Sequence, residues 1–145
     1  MTATFTGDTD GSDNWEYIKS RDAEGTADAV VAENYPAFNW VSQYNTKYAD
    51  KLNNKKFDWY MPSLAELCGV YKNRTAIDAS LAKIHDLENG SGYADVKLEN
   101  SWYWSSSQDS HRTSARLVVF SVFIAGDVAG NDKGYNNMVC CLAGF

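Results

Sequence analysis

Residues 59–67 read WYMPSLAEL and hold the most specific local signal in the chain. Ser63 stands three residues before Glu66, the spacing of a capping box, in which each side chain bonds the other residue's backbone amide. Apolar residues then recur at helical spacing, at Leu64, Leu67, Cys68 and Tyr71. The stretch predicts a short strand over 57–61 and a helix that begins at Leu64.

The residues before this stretch predict a further helix and a short strand. Pro36 suits the first turn of a helix, and an apolar stripe follows it at Phe38, Val41, Tyr44 and Tyr48. We expect that helix over 36–50. Residues 15–18 alternate weakly between apolar and polar types, which favours an early strand.

The residues after this stretch change from a helical to a strand period. A second, shorter helix is predicted from the spacing of Ile77, Leu81 and Ile84. Aromatic and small residues then alternate over 102–107, and a β-rich run covers 114–124. A turn at 125–127 and a last strand over 138–143 complete the pattern. Because helices lead and strands follow, the fold class is α+β.

Length, net charge and the lengths of the apolar runs exclude several classes of protein. The chain has 145 residues, the size of one domain over 1–145. A net charge of -6 argues against nucleic acid as a partner, because phosphate binding needs clustered Lys and Arg. No apolar run approaches the roughly 20 residues of a membrane-spanning helix, and residues 1–13 lack a signal-peptide pattern. The apolar segment 139–145 predicts a buried C-terminal strand.

Candidate chemical groups are few. The three cysteines form no C-x-x-C pair, and they fit best as small buried hydrophobic residues: Cys68, Cys140 and Cys141. Asp8, Asp10 and Asp13 lie in a turn-rich loop, but their spacing does not match a calcium-binding EF-hand. Since Asp and Asn also cap turns, we expect no metal and no cofactor, and leave calcium at this loop as the open alternative.

Four segments, taken in order, resemble a known layout. They are WYMPSLAEL (59–67), residues 77–84, WYWSSSQ (102–108) and VCCLAGF (139–145). They are similar to a bacterial family with a C-type lectin-like, formylglycine-generating-enzyme-like fold, in which W-x-L-P-S-x-x-E-L and Y-W-S-S-x recur. The resemblance covers about residues 7–145. Met61 replaces the usual Leu, and the arginine of the family's V-R-A-F ending is missing here.

The resemblance implies a fold and a function. The fold would be two to three helices packed on small antiparallel sheets, with the C-terminal strand buried. Some family members, found in treponemes and gut bacteria, are the variable proteins of diversity-generating retroelements, in which adenine-directed copying rewrites codons for exposed residues. The implied function is binding of a varied ligand, a protein or a cell-surface molecule, at the cell surface or outside the cell.

Residue types after Gln108 offer a separate indication of such rewriting. An AAC codon changed at its adenines encodes every residue except Met, Trp, Gln, Lys and Glu. Those five types are common in residues 1–108, yet between Asp109 and Asn137 only Lys133 belongs to them. Strands are also poor in Glu and Lys, which is the alternative explanation. We favour adenine-directed change of these codons as the explanation, and we expect a variable region over about 109–138.

The variable region supplies the candidate ligand-binding residues. Tyr and Arg would anchor a ligand, while Asn, Gly and Asp would adapt to it. We expect Arg116, Leu117, Phe120 and Phe123 to belong to the scaffold. The predicted contact residues are His111, Arg112, Thr113, Val119, Val122, Ile124, Asp127, Ala129, Gly130, Asn131, Asp132, Gly134, Tyr135, Asn136 and Asn137.

Two other functions compete with a variable binding protein. Formylglycine-generating chemistry would need a copper-binding or redox cysteine pair. Cys140 and Cys141 are adjacent in the sequence, and neighbours on a strand point to opposite faces of the sheet. These two thiols therefore cannot form such a pair, and we expect no enzymatic activity. The other alternative is an adhesin or glycan-binding domain of fixed specificity, for which the calcium-dependent sugar motifs are missing.

Overall fold

The computed structural model describes residues 9–87, 97–111, 113–121 and 126–144. Helices lead and strands follow, which confirms the α+β class. The helices are α1 (Asn14–Arg21), α2 (Val31–Asn34), α3 (Pro36–Ser42), α4 (Tyr44–Lys47), α5 (Leu64–Lys72) and α6 (Arg74–Leu87). The strands are β1 (Asp58–Tyr60), β2 (Trp102–Gln108), β3 (Ser114–Val119), β4 (Asp127–Asp132), β5 (Met138–Val139) and β6 (Leu142–Gly144).

The capping box at the start of α5 is confirmed and extends beyond its own helix. Ser63 Oγ accepts a hydrogen bond from the Glu66 amide at 3.3 Å, and Glu66 Oε2 accepts from the Ser63 amide at 2.9 Å. The same Oε2 atom accepts from the Gly11 amide at 3.0 Å, while Oε1 accepts from the Tyr60 hydroxyl at 2.9 Å. Glu66 therefore ties α5 to β1 and to the loop before α1.

The two sequence motifs contact each other. The Ser106 amide donates to the Pro62 carbonyl at 2.7 Å, and Ser107 Oγ accepts from the Leu64 amide at 2.9 Å. Ser106 Oγ also accepts from Asn14 Nδ2 at 2.6 Å. All three serines of β2, 105–107, are buried. Their hydroxyls satisfy backbone and amide groups where β2, α5 and α1 meet, because buried polar groups need partners.

The strands form two sheets of different size. The larger sheet has the order β4-β3-β2-β5, and the smaller one pairs β1 with β6. Neighbours are antiparallel except β2 and β5, which run parallel. The larger sheet is thus mixed, whereas only antiparallel sheets were predicted. β5 is short and arrives after the chain has passed through β4, so it can approach β2 from either direction.

The core consists of two apolar clusters on opposite faces of the larger sheet. One cluster joins α3 to the sheet through Val41, Met61, Trp104, Leu117 and Val119. The other joins α5 to the sheet through Leu67, Tyr103, Val118 and Phe120. Leu117 and Phe120 are fully buried, as expected of scaffold residues, while Arg116 is half-buried and Phe123 lies outside the described residues.

The expected early strand at 15–18 is wrong, because these residues belong to α1. A helix lets the Trp15 ring stack on Phe38, with centroids 4.9 Å apart, and places Asn14 fully inside. On the outer side Glu16 and Lys19 form an i,i+3 ion pair. Tertiary packing of the aromatic ring therefore overrides the weak alternation that favoured a strand.

The number and the lengths of the helices also differ from expectation. The part of the chain that the structure describes contains six helices, and the predicted helix over 36–50 is divided into α3 and α4 at Gln43. Ser42 Oγ bonds the Asn39 carbonyl at 2.8 Å, a local interaction that competes with helix continuation. The second predicted helix is longer than expected, and Ile77 and Leu81 are half-buried on it. The side chain of Ile84 lies outside the described part.

Residues 127–132 form β4, where the sequence predicted no strand. Asp, Gly and Asn usually favour turns, yet β4 pairs with β3 along its whole length, from Asp127 opposite Val119 to Asp132 opposite Ser114. Pairing with a neighbouring strand outweighs weak intrinsic preference. The turn expected before β4 is confirmed at Gly126, whose φ of +66° suits glycine.

The expected single C-terminal strand is two strands in different sheets. β5 lies beside β2, and after Cys140 and Cys141 the chain continues into β6 beside β1. Residues 139–143 are half-buried and Gly144 is exposed, so the predicted full burial of this segment is wrong. Short strands at sheet edges keep one side open to solvent.

Within the described ranges, no helix is both long and apolar enough to cross a membrane.

Candidate functional site

A cleft of about 450 Å³ lies between the N-terminal helices and the loop that follows β4. Its floor comes from β2 (104–108) together with Met61, Ala115 and Val139. One wall comes from α1 and from residues 33–38 and 40; the other comes from the loop 133–137. The chain therefore builds this cleft from both its early and its late segments.

The helical wall of the cleft is aromatic and preorganised. Tyr17, Tyr35, Phe38 and Trp40 all line it. Trp15 packs behind them, stacked on Phe38 and edge-on to Tyr35 at 5.7 Å. Rigid aromatic side chains offer contact area at a low entropic cost. This wall is suited to apolar or planar groups of a ligand.

Tyr35 is fixed in that wall by a charged partner. Its hydroxyl donates to Asp22 Oδ2 at 2.7 Å. Burial, helped by this bond to a carboxylate, raises the pKa of Tyr35 well above its usual value. The bond from Tyr35 in turn lowers the pKa of Asp22, together with the bond from the Gly25 amide. The phenol therefore stays neutral and the carboxylate stays charged near neutral pH.

The opposite wall is a tight turn that presents polar and aromatic groups. Asp132 organises it, because its Oδ1 accepts from the Gly134 amide at 2.8 Å and its carbonyl accepts from the Tyr135 amide at 3.1 Å. Tyr135 is 63% exposed. Asn137 Nδ2 is buried without a hydrogen-bond partner. An unpaired buried donor costs about 1–3 kcal/mol.

Gln108 connects the two loops beside the cleft. Its Nε2 atom lies 2.6 Å from the Ser114 carbonyl, 3.0 Å from that of His111 and 3.2 Å from that of Asp109. Its Oε1 atom accepts from Lys133 Nζ at 2.5 Å. The Lys133 amide donates to the Thr113 carbonyl at 2.9 Å. Burial lowers the pKa of Lys133.

Asp109 organises the first of these loops. Its carboxylate accepts from the His111 amide at 3.1 Å and from Ser110 Oγ at 3.0 Å, and it pairs with Arg116 Nε at 3.0 Å. These bonds, led by that of the His111 amide, lower the pKa of Asp109. A Cβ atom placed on Gly130 would lie 2.4 Å from Asp109 Oδ2. Gly130 therefore lets β4 pass close to this carboxylate.

Several predicted site residues lie together on the exposed loops next to Gln108. We call these residues the loop surface: His111, Thr113, Asp132, Gly134, Tyr135 and Asn136. Asn131 and Asn137 flank the loop-surface residues at 132 and 134–136 in the sequence, and both are half-buried. Asp127 is exposed at the opposite end of β4, about 17 Å away at the usual rise per residue. Arg112, Val122 and Ile124 lie outside the described residues.

Three predicted site residues do not behave as freely variable positions. Val119 is 7% exposed and belongs to the core, so its expected outward orientation is wrong. It shares a sheet face with Leu117, since alternate residues of a strand face the same side. Ala129 packs against the same cluster. Gly130 is exposed, but the nearby Asp109 carboxylate leaves no room for a side chain.

Sequence reasoning missed the helical half of the cleft and the role of Gln108. Periodicity places Phe38 on an apolar helix stripe and indicates no ligand contact for Tyr17, Tyr35 or Trp40. The available signal was the density of aromatic residues over 35–48, with five in fourteen positions. Which of them face a cleft depends on how α1 and α3 pack, and periodicity does not give that. Gln108 carried no local signal.

The thiols and carboxylates form no reactive cluster in the described ranges. No group of three or more metal-ligating side chains occurs there, and the cysteines are unpaired. Burial raises the pKa of Cys68 and Cys140, and that of Cys141 to about 11. Asp10 accepts from the Ser12 amide at 2.9 Å, as expected of turn chemistry, and Asp8 lies outside the described residues.

Comparisons of the chain with protein-family models, with curated proteins and with solved structures found no match.

Proposed function

We propose that this chain is a ligand-binding domain with a C-type lectin-like fold, whose loop surface is diversified by a retroelement. The observation that carries the proposal is the shared cleft, in which a preorganised aromatic wall faces a loop of Gly134, Tyr135, Asn136 and Asn137. Tyr and Asn are typical of adaptable binding loops. The ligand would be a protein or a cell-surface molecule.

The contacts of the loop surface support its tolerance to substitution. Backbone groups, Asp109, Asp132 and Gln108 hold the two loops in place. The side chains of His111 and Tyr135 are exposed, and the contacts of the His111 ring with Asp109 and Ser110 are long, at 3.5 Å. Replacing an exposed side chain that supports no other residue usually changes stability by less than about 0.5 kcal/mol. Such a surface can change its ligand without loss of the fold.

A displayed library tests whether the loop surface carries specificity. Positions 111, 113, 135 and 136 would be randomised and selected against lysozyme as an arbitrary protein target. We expect binders with a dissociation constant of about 1 μM or lower, equivalent to about 8 kcal/mol. Binding would be measured by titration of the purified clones.

The matched control is a library of equal size at exposed positions that belong neither to the cleft nor to the loops beside it. Asp50, Lys55, Lys56 and Asp58 serve this purpose, between α4 and the start of β1. We expect no enrichment from it. Equal enrichment from both libraries, or none from the loop library, would contradict a specialised binding surface.

Diversification is tested separately by the neighbouring DNA. We expect a reverse-transcriptase gene and an adenine-rich near-repeat of the codons for 109–138. In that repeat, AAC codons should stand at positions 111, 113, 135 and 136, whereas the codon of buried Leu117 should match the gene. If the neighbouring DNA contains neither the reverse-transcriptase gene nor the near-repeat, diversification by a retroelement is refuted. The library experiment would then decide the binding function alone.

The thiol chemistry supports a binding function over a catalytic one. Metal ligation and nucleophilic attack both require a thiolate. Burial raises the pKa of Cys140 and Cys141, which favours the neutral thiol near pH 7. Among the described residues, no positively charged group lowers the pKa of either thiol.

A glycan-binding domain of fixed specificity is the second candidate. The aromatic wall favours it, because Tyr17, Tyr35 and Trp40 precede the predicted variable region and do not depend on it. Aromatic faces are common binding surfaces for planar and apolar ligand groups. A glycan-array signal that persists after Tyr135→Ala would favour this candidate over the first.

A further inference from the structure

We propose that Gln108 and Lys133 are positioning residues that set the geometry of the ligand-contacting loops. We call this pair the clamp. The inference rests on the proposed function in one respect, namely that the loops contact a ligand. The bonds that carry it are intrachain and are measurable without any ligand.

The clamp consists of the side-chain amide of Gln108 and the side-chain amine of Lys133, which together connect the segment 109–114 to the loop 133–137. Gln108 Nε2 contacts three carbonyls of the segment 109–114, and Gln108 Oε1 accepts from Lys133 Nζ. Gln108 Nε2 thus bonds backbone carbonyls, which every residue type carries, and Lys133 Nζ bonds the side chain of Gln108 itself. The clamp is therefore independent of which side chains occupy positions 111, 113, 135 and 136.

The backbone adds a second link in the same place. The Lys133 amide donates to the Thr113 carbonyl at 2.9 Å, just beyond the β3–β4 pair of Ser114 and Asp132. Side chain and backbone of Lys133 therefore fasten the second loop to the first at two points. Displacing either loop would break hydrogen bonds around a half-buried cation, whose loss is costly.

The identity of the residues fits this role. Lys133 is the one member of 109–137 whose type does not arise from an AAC codon by adenine substitution, and Gln108 precedes that region. Both are thus of types that the proposed rewriting does not create. A surface that changes its side chains needs fixed supports, because loops left unsupported pay an ordering cost on binding.

Hydrogen exchange measured by NMR on Gln108→Ala tests the clamp. We expect the amides of His111, Lys133 and Tyr135 to exchange at least tenfold faster than in the wild-type chain. The amides of Ser106 and Phe120, which bond the Pro62 and Ser101 carbonyls in the core, should change by less than twofold. A merely structural role would accelerate all five amides together, and that result would overturn the proposal.

Two further variants guard the interpretation. Lys133→Met keeps the apolar stem and should accelerate exchange at Tyr135, whereas Lys133→Arg keeps a cationic donor and should restore protection. Gln43→Ala is the matched control, because Gln43 is exposed and bonds only Asn39 of its own helix segment among the contacts described. Equal exchange in Lys133→Met and Lys133→Arg would contradict a role for the amine.

A binding readout separates failure of the clamp from failure of the proposed function. Gln108→Ala in a lysozyme-binding clone should weaken affinity at least tenfold with the selected residues unchanged. Unchanged affinity would refute positioning even where exchange is faster. If the library yields no binders, the proposed function fails, and the exchange experiment still decides whether the clamp exists.

Discussion

Replacing Phe120 by alanine is expected to lower the free energy of unfolding by about 4 kcal/mol. The side chain is fully buried, and its ring lies 4.4 Å from that of Tyr103 and 5.1 Å from that of Tyr71. Truncation removes apolar contacts and two aromatic pairs and leaves a cavity between α5 and the sheet. Urea denaturation followed by tryptophan fluorescence measures the loss.

Tyr135→Ala is the matched control, since it removes an aromatic ring of similar size from a residue that is 63% exposed. We expect a change of less than about 0.5 kcal/mol. The contrast separates the energetic cost of the core from that of the loop surface. A loss below about 1 kcal/mol for Phe120→Ala would show that the second apolar cluster is not packed as described.

Replacing Gly11 by alanine is expected to destabilise the fold by about 3 kcal/mol. A Cβ atom there would lie 2.5 Å from the Met61 carbonyl oxygen and 2.6 Å from the Ser63 amide nitrogen. These are backbone atoms, so no rotamer change relieves the overlap. Moving Gly11 away would break its 3.0 Å bond to Glu66. Thermal and urea unfolding measure the effect.

Gly69→Ala is the control with the opposite sign. Gly69 lies inside α5, and a Cβ atom there meets nothing within 4 Å. Alanine favours a helix over glycine, so we expect stabilisation by about 0.5–1 kcal/mol. The same substitution thus lowers stability at one glycine and raises it at another. Stabilisation by Gly11→Ala would refute the close contact between Gly11 and the backbone of residues 61–63.

Local signals predicted the elements whose formation depends on neighbouring residues. The capping box of Ser63 and Glu66 gave the start of α5, and alternation gave β2 within one residue. Elements that depend on distant partners were misassigned. Helix α1 is fixed by Phe38 beneath Trp15, and β4 is fixed by pairing with β3. A sequence window around either element does not contain those partners.

The candidate site was predictable only in its exposed loop half. Turn-forming residue types near Lys133 indicated exposed loops, and the structure places Tyr135 and Asn136 there. The register of β3 was not predictable in the same way. Val119 follows Val118, both are apolar, and both are buried on opposite faces of a sheet that is covered on both sides. Alternation carries no information in such a strand.

The pairing of β1 with β6 has a consequence for how the chain reaches its native state. Tyr60 lies opposite Leu142, more than 80 residues later in the sequence. Closing so long a loop costs chain entropy before any contact compensates for it, which slows folding relative to proteins with local contacts. During synthesis, β1 remains an unpaired edge until residues 142–144 have emerged. The edge of β1 is therefore open to pairing with other chains until residues 142–144 are available.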